Sequence, residues 1–588
     1  MPSRLKPVDV VIVGFGWTGA LMARELGDSG LKLVALERGG DRDTDPDFQP
    51  GVMHDELRYA VHHRLMQDVS RQTITFRNRR DQTVLPMRQL GSFLPGSGVG
   101  GAGVHWNGRH WRFLPSDFEL RSHISNRYGA GFIPPDMSIQ DWGVTYDELE
   151  PFYDRFEYLC GTSGQAGNIA GRQVPGGNPF EGPRRRGYPT PPLKSSWAMV
   201  LFEDAARRLG FHPFPQPAAN LSRPYTNPEG AAMGACLYCG FCEGFGCEVR
   251  AKASPQATLL PAIRRNPNFE LRTNSMVLRV NLDGNKTRAT GVTYLDARGQ
   301  EVEQPADLVV LCAFALNNVH LLLLSGIGKP YDPDSGQGVV GRNYAYRIVS
   351  RAGLFFDNQV FNPFMGAGAL AMCIDDFNGD NFDHAKRGFI GGGTIFCGST
   401  GGRPIQYHPV PDGTPRWGAQ WKKAVTRYYN RSCQVTAHGS TMAYRGNCLD
   451  LDPTYRDFYG RPLLRMTYDH QDNDIRMSHA LTEVCQQIGK AMGARQLSVE
   501  LAPTPYSIVP YQTTHNVGGA TMGADPKTSA VNRYLQSWDV ANLFVMGASA
   551  FPQNTGSGPT GTVGALTYWA ADALRNRYLK SPGPLVPI

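Results

Sequence analysis

The chain has 588 residues, 41% of them hydrophobic and 19% charged, with 67 glycines and 43 prolines, which describes a large, loop-rich globular protein and excludes extended disorder. The length corresponds to roughly three or four domain-sized units, or to one large core with insertions. A net charge of +7 is too dilute for a nucleic-acid binder, and the apolar stretch nearest to a membrane span, Leu308 to Ile327, is interrupted by Asn317, Asn318 and His320.

The N-terminus enters a strand-like run within ten residues and shows no apolar core followed by a small-residue cleavage site, so this chain is expected to carry no export signal of its own. Residues 8–13, VDVVIV, suit a buried parallel strand, and Gly14-Phe15-Gly16-Trp17-Thr18-Gly19 follows at once. ALMARELGDSG has helical composition, and LKLVALE forms a second strand that closes on Glu37. Together they make a βαβ unit of about thirty residues, the context in which a glycine fingerprint carries meaning. Gly14 and Gly16 let the backbone turn tightly and approach a pyrophosphate, and Gly19 lets helix and strand pack closely. The helix N-terminus adds partial positive charge, and Glu37 can accept hydrogen bonds from ribose hydroxyls. A glycine-rich turn in an ordinary α/β domain is the weaker alternative.

A second glycine-dense segment, GSFLPGSGVGGAGVHWNG, includes Gly100, Gly101, His105, Trp106 and Asn107, and would let backbone amides approach something flat or anionic. Residues 121–230 lack clear periodicity and read as an insertion decorating the core, with the run Arg184 to Arg186 as a solvated loop. Eleven cysteines are too few for a disulfide scaffold, yet Cys236, Cys239, Cys242 and Cys247 form a C-x2-C-x2-C-x4-C pattern. That spacing is close to the one iron–sulfur proteins use; a closed zinc site is the competitor. From Phe269 short strands alternate with turn signals at Asp283-Gly284 and Arg298-Gly299, a β-meander that leads into a buried strand. Residues 346–500 are mixed and aromatic-rich, and the chain closes with a strand, NLFVMGASAFP, and a helix-like ALTYWAADALRNRYL.

Five further quotations carry a family likeness: VVIVGFGWTGA, GVGGAGVHWNG, CAFALNNVHLLLLSGIG, GVVGRNYAYR, and the closing THNVGGATMGADP with NLFVMGASAFP. On these the chain resembles, over nearly its whole length, the glucose-methanol-choline (GMC) oxidoreductases, and within them the flavoprotein subunits of membrane-bound gluconate 2-dehydrogenase type and their sugar-acid and polyol dehydrogenase relatives. The resemblance implies an α/β + β fold. A Rossmann-like FAD-binding domain would be assembled from residues 1–120, 225–345 and 505–588, and a discontinuous substrate domain on a mixed or antiparallel sheet from 121–224 and 346–504.

It also implies FAD rather than NAD, with Glu37 on the adenosine ribose, the Val277 backbone near the adenine, and Gly547-Ala548 beside the pyrophosphate and ribityl chain. Gly100, Gly101, Trp106, Asn107 and Thr560 would lie along the flavin, which His105 would tether covalently; a histidine that merely hydrogen-bonds in a tight loop would look the same. Oxidising an alcohol with a flavin needs a base for the hydroxyl proton, and the family places its catalytic histidine at His515. His54, His62, His63 and His479 are assigned no catalytic role.

A second polar residue usually follows the histidine, but here Gly558 occupies that place, a loss of roughly 1 to 3 kcal/mol of hydrogen bonding unless Asn554 or Asn516 substitutes. Trp106, Trp111, Tyr344 and Tyr346 are candidates to line the substrate site, although single aromatics are more often core. The relatives carry a three-iron cluster (3Fe-4S) in the cysteine segment, for which three of the four cysteines suffice. By resemblance the electrons pass to a c-type cytochrome subunit and then quinone, on the periplasmic side of the inner membrane, with export through a small signal-bearing subunit and membrane contact only through a partner. An oxygen-using oxidase and a non-catalytic flavin electron-transfer subunit are the rival readings.

Overall fold

The computed structural model describes residues 3–48, 65–398 and 401–587, so His54, His62 and His63 lie outside the described residues. The β-branched strand Val8–Val13 is flanked in parallel by Leu33–Leu36 and by Glu301–Leu311, and Phe269–Arg272 extends the sheet beyond Leu33–Leu36. Residues 10–13, 33–36 and 308–311 are buried on both faces, as their continuous apolar runs require, whereas the edge strand Phe269–Arg272 is not. Glu301–Leu311 serves two sheets. Its first half pairs antiparallel with Ala289–Leu295, which pairs in turn with Met276–Leu282, while its second half joins the parallel sheet and also receives Leu543–Val545. The meander and the closing strand expected from the sequence thus converge on one long strand.

The helix Trp17–Gly27 follows the first strand directly, and Gly14 has a φ of 90°, a conformation open to glycine at no steric cost. A Cβ at Gly19 would stand 2.2 Å from the Gly14 carbonyl oxygen. Strand and helix therefore touch backbone to backbone here, which only glycine allows.

A second sheet is antiparallel and runs in the order Gln496–Glu500, Ile348–Phe355, Ser432–Gly439, Gly393–Gly398, Ala371–Ile374 and Phe214–Pro215. The helices Asp472–Ala491 and Trp197–Arg208 cover it through a separate apolar core that includes Met199, Phe202, Leu354, Met477 and Ile488. His479 is on the exposed face of Asp472–Ala491. A third, smaller sheet pairs Cys448–Arg456 and Pro462–Thr467 with Ile74–Arg77 and Leu85–Pro86, so part of 346–504 is joined to the N-terminal segment.

Residues 121–230 hold more regular structure than their composition implies. Thr145 caps the 15-residue helix Tyr146–Cys160 by accepting from the Glu148 amide, while the Glu148 side chain accepts from the Thr145 amide. This helix packs against Thr560–Ala573 so closely that a Cβ at Gly564 would meet the Phe156 ring at 2.1 Å. Of the run Arg184 to Arg186 only Arg184 departs from a solvated loop: it is buried against Glu157 and Glu181, whereas Arg185 and Arg186 stay exposed while pairing with Glu150 and Asp154. Glu157, projecting from the helix, draws Arg184 in. Among the described residues no helix is long and apolar enough to cross a membrane.

Candidate active site

Two cavities adjoin at the C-terminal end of the parallel sheet. The first is lined by both fingerprint glycines Gly14 and Gly16, by Glu37, Val277 and Gly101, and by Gly547, Ala548 and Thr560 from the C-terminal segment. Gly19 serves the strand–helix contact and not the lining. Glu37 accepts hydrogen bonds from the amides of Phe15 and Gly39, both at 2.9 Å, and from Gly98 at 3.0 Å, so it ties the two glycine segments together. A carboxylate offers about four acceptor sites, and one is left for a sugar hydroxyl. The Val277 carbonyl accepts from Arg461 at 3.2 Å. Gly100 packs on the Gln256 side chain and holds the Phe15 carbonyl through its amide at 2.7 Å.

Two buried donors without a hydrogen-bond partner, Trp17 Nε1 and Asn516 Nδ2, belong to residues of this lining. Unpaired buried donors are costly unless a ligand supplies acceptors. With the glycine cradle, they fit a large, polar, planar cofactor such as FAD. Arg38, Asn317, His320 and Arg461 also line this cavity; the sequence offers no spacing that would single them out.

The second cavity, of about 390 Å³, is lined by His515, His438, Arg109, Arg351, Trp106 and Asn107 among others, and His105 stands at its wall. Trp17, Ala102, Gly103, Thr514 and Thr560 line both cavities, so His515 follows directly on a residue of their junction. Nδ1 of His515 is buried without a partner, which leaves Nε2 as the nitrogen open to the chamber. Burial, then the charges of Arg347 and Arg109, hold its pKa well below 6.5, so the ring is a neutral base at neutral pH.

His438, on the strand Ser432–Gly439, faces His515 with ring centroids 6.3 Å apart, and burial and the neighbouring arginines lower its pKa as well. Sequence reasoning missed His438; it sits on an ordinary alternating strand 77 positions before His515 and becomes its neighbour only when the chain folds.

Asn554 does not reach the chamber. Its Nδ2 donates to the carbonyls of Tyr346 and His515, and its Oδ1 accepts from Arg347 at 3.2 Å and from the Thr555 amide at 2.9 Å. The residue therefore holds the backbone of His515 in place, and Arg347, whose guanidinium burial brings down to about 9, anchors the same loop through the Gly556 carbonyl at 2.9 Å. Gly558 itself lines the chamber, and a Cβ there would lie 3.2 Å from Trp111, a tight contact. Of the four aromatic candidates only Trp106 lines the chamber; Trp111, Tyr344 and Tyr346 are core.

His105 is buried, and its Nε2 donates to the Leu94 carbonyl at 3.0 Å. The cysteine loop lies directly behind it: the Gly244 amide donates to the His105 carbonyl at 2.7 Å, and buried Lys252 donates to the carbonyls of Trp106, Cys242 and Phe245. Burial, with the neighbouring thiols adding to it, pushes Cys236 up to about 12 and Cys242 up to about 11. Among the described residues, however, no three His, Cys, Asp or Glu side chains converge closely enough to hold a metal ion. The expectation of a metal-bound Cys236, Cys239, Cys242 and Cys247 therefore meets thiols that are near one another but do not form a ready site: each follows its own turn, with Tyr238 at a φ of 54° and Gly240 and Gly244 at 82° and 85°.

A glycine-cradled cavity opening onto a chamber with a neutral histidine is the arrangement that a flavin-dependent oxidoreductase of alcohols needs. Models of the GMC oxidoreductase family match residues 219–349 and 444–567. The gluconate 2-dehydrogenase flavoprotein of Pantoea cypripedii is 54% identical over 99% of this chain and 96% of its own length. The chain belongs to the GMC oxidoreductase family and is an FAD-dependent dehydrogenase. It is also similar to the 2-methyl-1,2-propanediol dehydrogenase of Mycolicibacterium austroafricanum, at 27% identity over 98% of this chain and 97% of that one. The large subunit of fructose dehydrogenase from Gluconobacter japonicus is 26% identical over 98% and 99%. The crystal structure of a pyridoxine 4-oxidase shares the fold, with a TM-score of 0.59 and 18% identity over 97% of this chain and 99% of that one.

Proposed function

We propose that the chain oxidises a hydroxyl of a sugar acid of the gluconate or ketogluconate type, with His515 as the base. The observation that carries this is the neutral His515 imidazole where the cofactor cavity meets the second chamber. The Pantoea relative, named for gluconate, supports the substrate class. FAD, when bound, supplies the hydride-accepting chemistry. His515 Nε2 takes the hydroxyl proton. Asn554 and Arg347 keep the His515 backbone and the loop at Gly556 fixed, so the base is in place before substrate arrives.

Anaerobic addition of gluconate, 2-ketogluconate and neutral polyols to the loaded enzyme tests the reading: the acids should bleach the flavin, and bleaching by neutral polyols alone would overturn it. The rate should also keep its value as pH falls past 6.5. The unprotonated imidazole is the active form, and a lowered pKa preserves it to more acidic pH. An acid limb centred at or above 6.5 in stopped-flow reduction between about pH 5 and 8 would contradict a buried, cation-flanked base.

Two finer parts of the reading concern prosthetic groups. The first is a covalent flavin link through His105. The second is a 3Fe-4S cluster on three of Cys236, Cys239, Cys242 and Cys247, feeding a c-type cytochrome subunit and quinone on the periplasmic side of the inner membrane, with export through a small partner subunit. Their support is the cysteine spacing and the contact of the cysteine loop with the His105 carbonyl. Acid precipitation of the loaded protein tests both: flavin should stay with the pellet and iron should be released in excess of zinc. Flavin in the supernatant removes the tether, and zinc without iron removes the cluster.

A further inference from the structure

The chamber beside His515 is strongly cationic for a site that takes a sugar. Arg109 lines it, enclosed by protein yet facing the open space, and its guanidinium stacks on Phe396 with Cζ 4.0 Å from the ring centroid. Among the described residues it has no carboxylate partner. Its side chain makes one hydrogen bond, from Nη1 to His438 Nδ1 at 3.4 Å, and Nε is buried with none. Desolvation lowers its pKa and the nearby charge of Glu243 offsets this only in part, the expected response of a cation shut away from water without an ion pair.

Arg351, on the strand Ile348–Phe355, brings a second guanidinium to the same wall; its Nε makes no hydrogen bond and stands 3.7 Å from Glu500, a loose ion pair. Glu243 is the one carboxylate among the residues lining the chamber. It is exposed at the rim and accepts from the Tyr511 hydroxyl. Two guanidiniums with donors to spare face an enclosed space whose one carboxylate, Glu243 at the rim, forms an ion pair with neither, though its charge is felt at Arg109.

We propose that Arg109, with Arg351 as its second, receives the carboxylate of the substrate and so selects acids over neutral sugars. A planar guanidinium matches a carboxylate in a two-point pairing that a neutral hydroxyl cannot reproduce. Stacking on Phe396 fixes the plane of the Arg109 fork before binding, which reduces the entropy lost in the pairing. Because Arg109 touches His438, and His438 faces His515, a carboxylate held there puts the hydroxyl nearest to it, and not the far end of the sugar chain, beside the base.

The inference rests on the sugar-acid reading above but fails separately from it. In the loaded enzyme, Arg109→Gln should raise KM for gluconate by roughly 10 to 100-fold, with KM for the uncharged gluconamide changed less than about threefold. Arg109→Lys, which keeps the charge and loses the fork, should fall between. Calorimetric titration of gluconate into the oxidised wild type and both variants gives a second readout, independent of turnover. Equal effects on acid and amide, or gluconate affinity retained in Arg109→Gln, overturn the clamp and leave the dehydrogenase reading standing. Arg109-dependent binding of gluconate without flavin reduction keeps the clamp and overturns the dehydrogenase reading. Absence of gluconate binding to the wild type overturns both.

Discussion

Replacing His515 by alanine is expected to lower the rate of substrate-driven flavin bleaching by about 10²- to 10⁴-fold, the range typical of a lost general base. FAD should stay bound. The cofactor cavity is built from the parallel sheet, the glycine segments and the Gly547-Ala548 turn, and none of these leans on the imidazole. Truncation removes no hydrogen bond of the side chain, since its Nδ1 has none, and the Asn554 contact is to the His515 carbonyl, which alanine retains. His438 is the imidazole that faces His515 across the same space, whereas Nε2 of His105, at the chamber wall, is engaged by the Leu94 carbonyl. It is also held neutral, so a residual rate that disappears in the double variant would mark it as a weak substitute base. Stopped-flow reduction with gluconate, beside the flavin-to-protein absorbance ratio, separates lost chemistry from lost cofactor. A rate within threefold of wild type would remove His515 from the role.

What the sequence disclosed follows from how local the cause is. The fingerprint was legible because backbone sterics act within a few residues: Gly14 must take a positive φ, and Gly19 must lack a Cβ for helix and strand to touch. His515 stood out through its neighbours in the chain, THNVGGATMG. Arg109 and His438 carried no such mark. They are 329 positions apart, and only the pairing of Ser432–Gly439 within the antiparallel sheet brings them together.

Asn554 illustrates the reverse. Its place near Gly558 made it a candidate donor, but a fully buried amide must satisfy itself, and four protein partners already do so. The helix Tyr146–Cys160 escaped notice because its inward face mixes Tyr146, Leu149, Tyr153 and Phe156 with Glu150 and Glu157, and buried carboxylates break the apolar period on which helix recognition depends. The same carboxylates explain why Arg184, in a basic run that otherwise stays exposed, is drawn into the core.

That buried charge network sets the second large effect. Glu157 is 1% exposed and accepts from Arg112 Nε and Nη2 at 2.9 and 2.8 Å and from Arg184, itself 1% exposed. Burial alone would raise its pKa, but the two guanidiniums outweigh burial and hold it below the ordinary carboxylate value. A group with a depressed folded pKa adds stability above its unfolded pKa, and that contribution is lost as pH falls through the folded one. Glu157→Ala leaves Arg112 with Glu150 at 3.0 Å and Arg184 with Glu181 at 3.4 Å, one carboxylate for each guanidinium where there had been a shared second. The expected loss is about 3 to 5 kcal/mol, the cost of breaking a buried ion pair from one side. The exposed pair of Glu203 with Arg207 is the control, and Glu203→Ala should change stability by less than about 1 kcal/mol. The damage should reach the cofactor as well. Tyr153, one turn before Glu157, hydrogen-bonds Thr562 at 2.5 Å, and Thr562 follows by two residues Thr560, where the two cavities meet. Denaturant midpoints read by fluorescence and by flavin release should therefore shift together in Glu157→Ala, and a shift no larger than the control's would show that the network adds nothing to the fold.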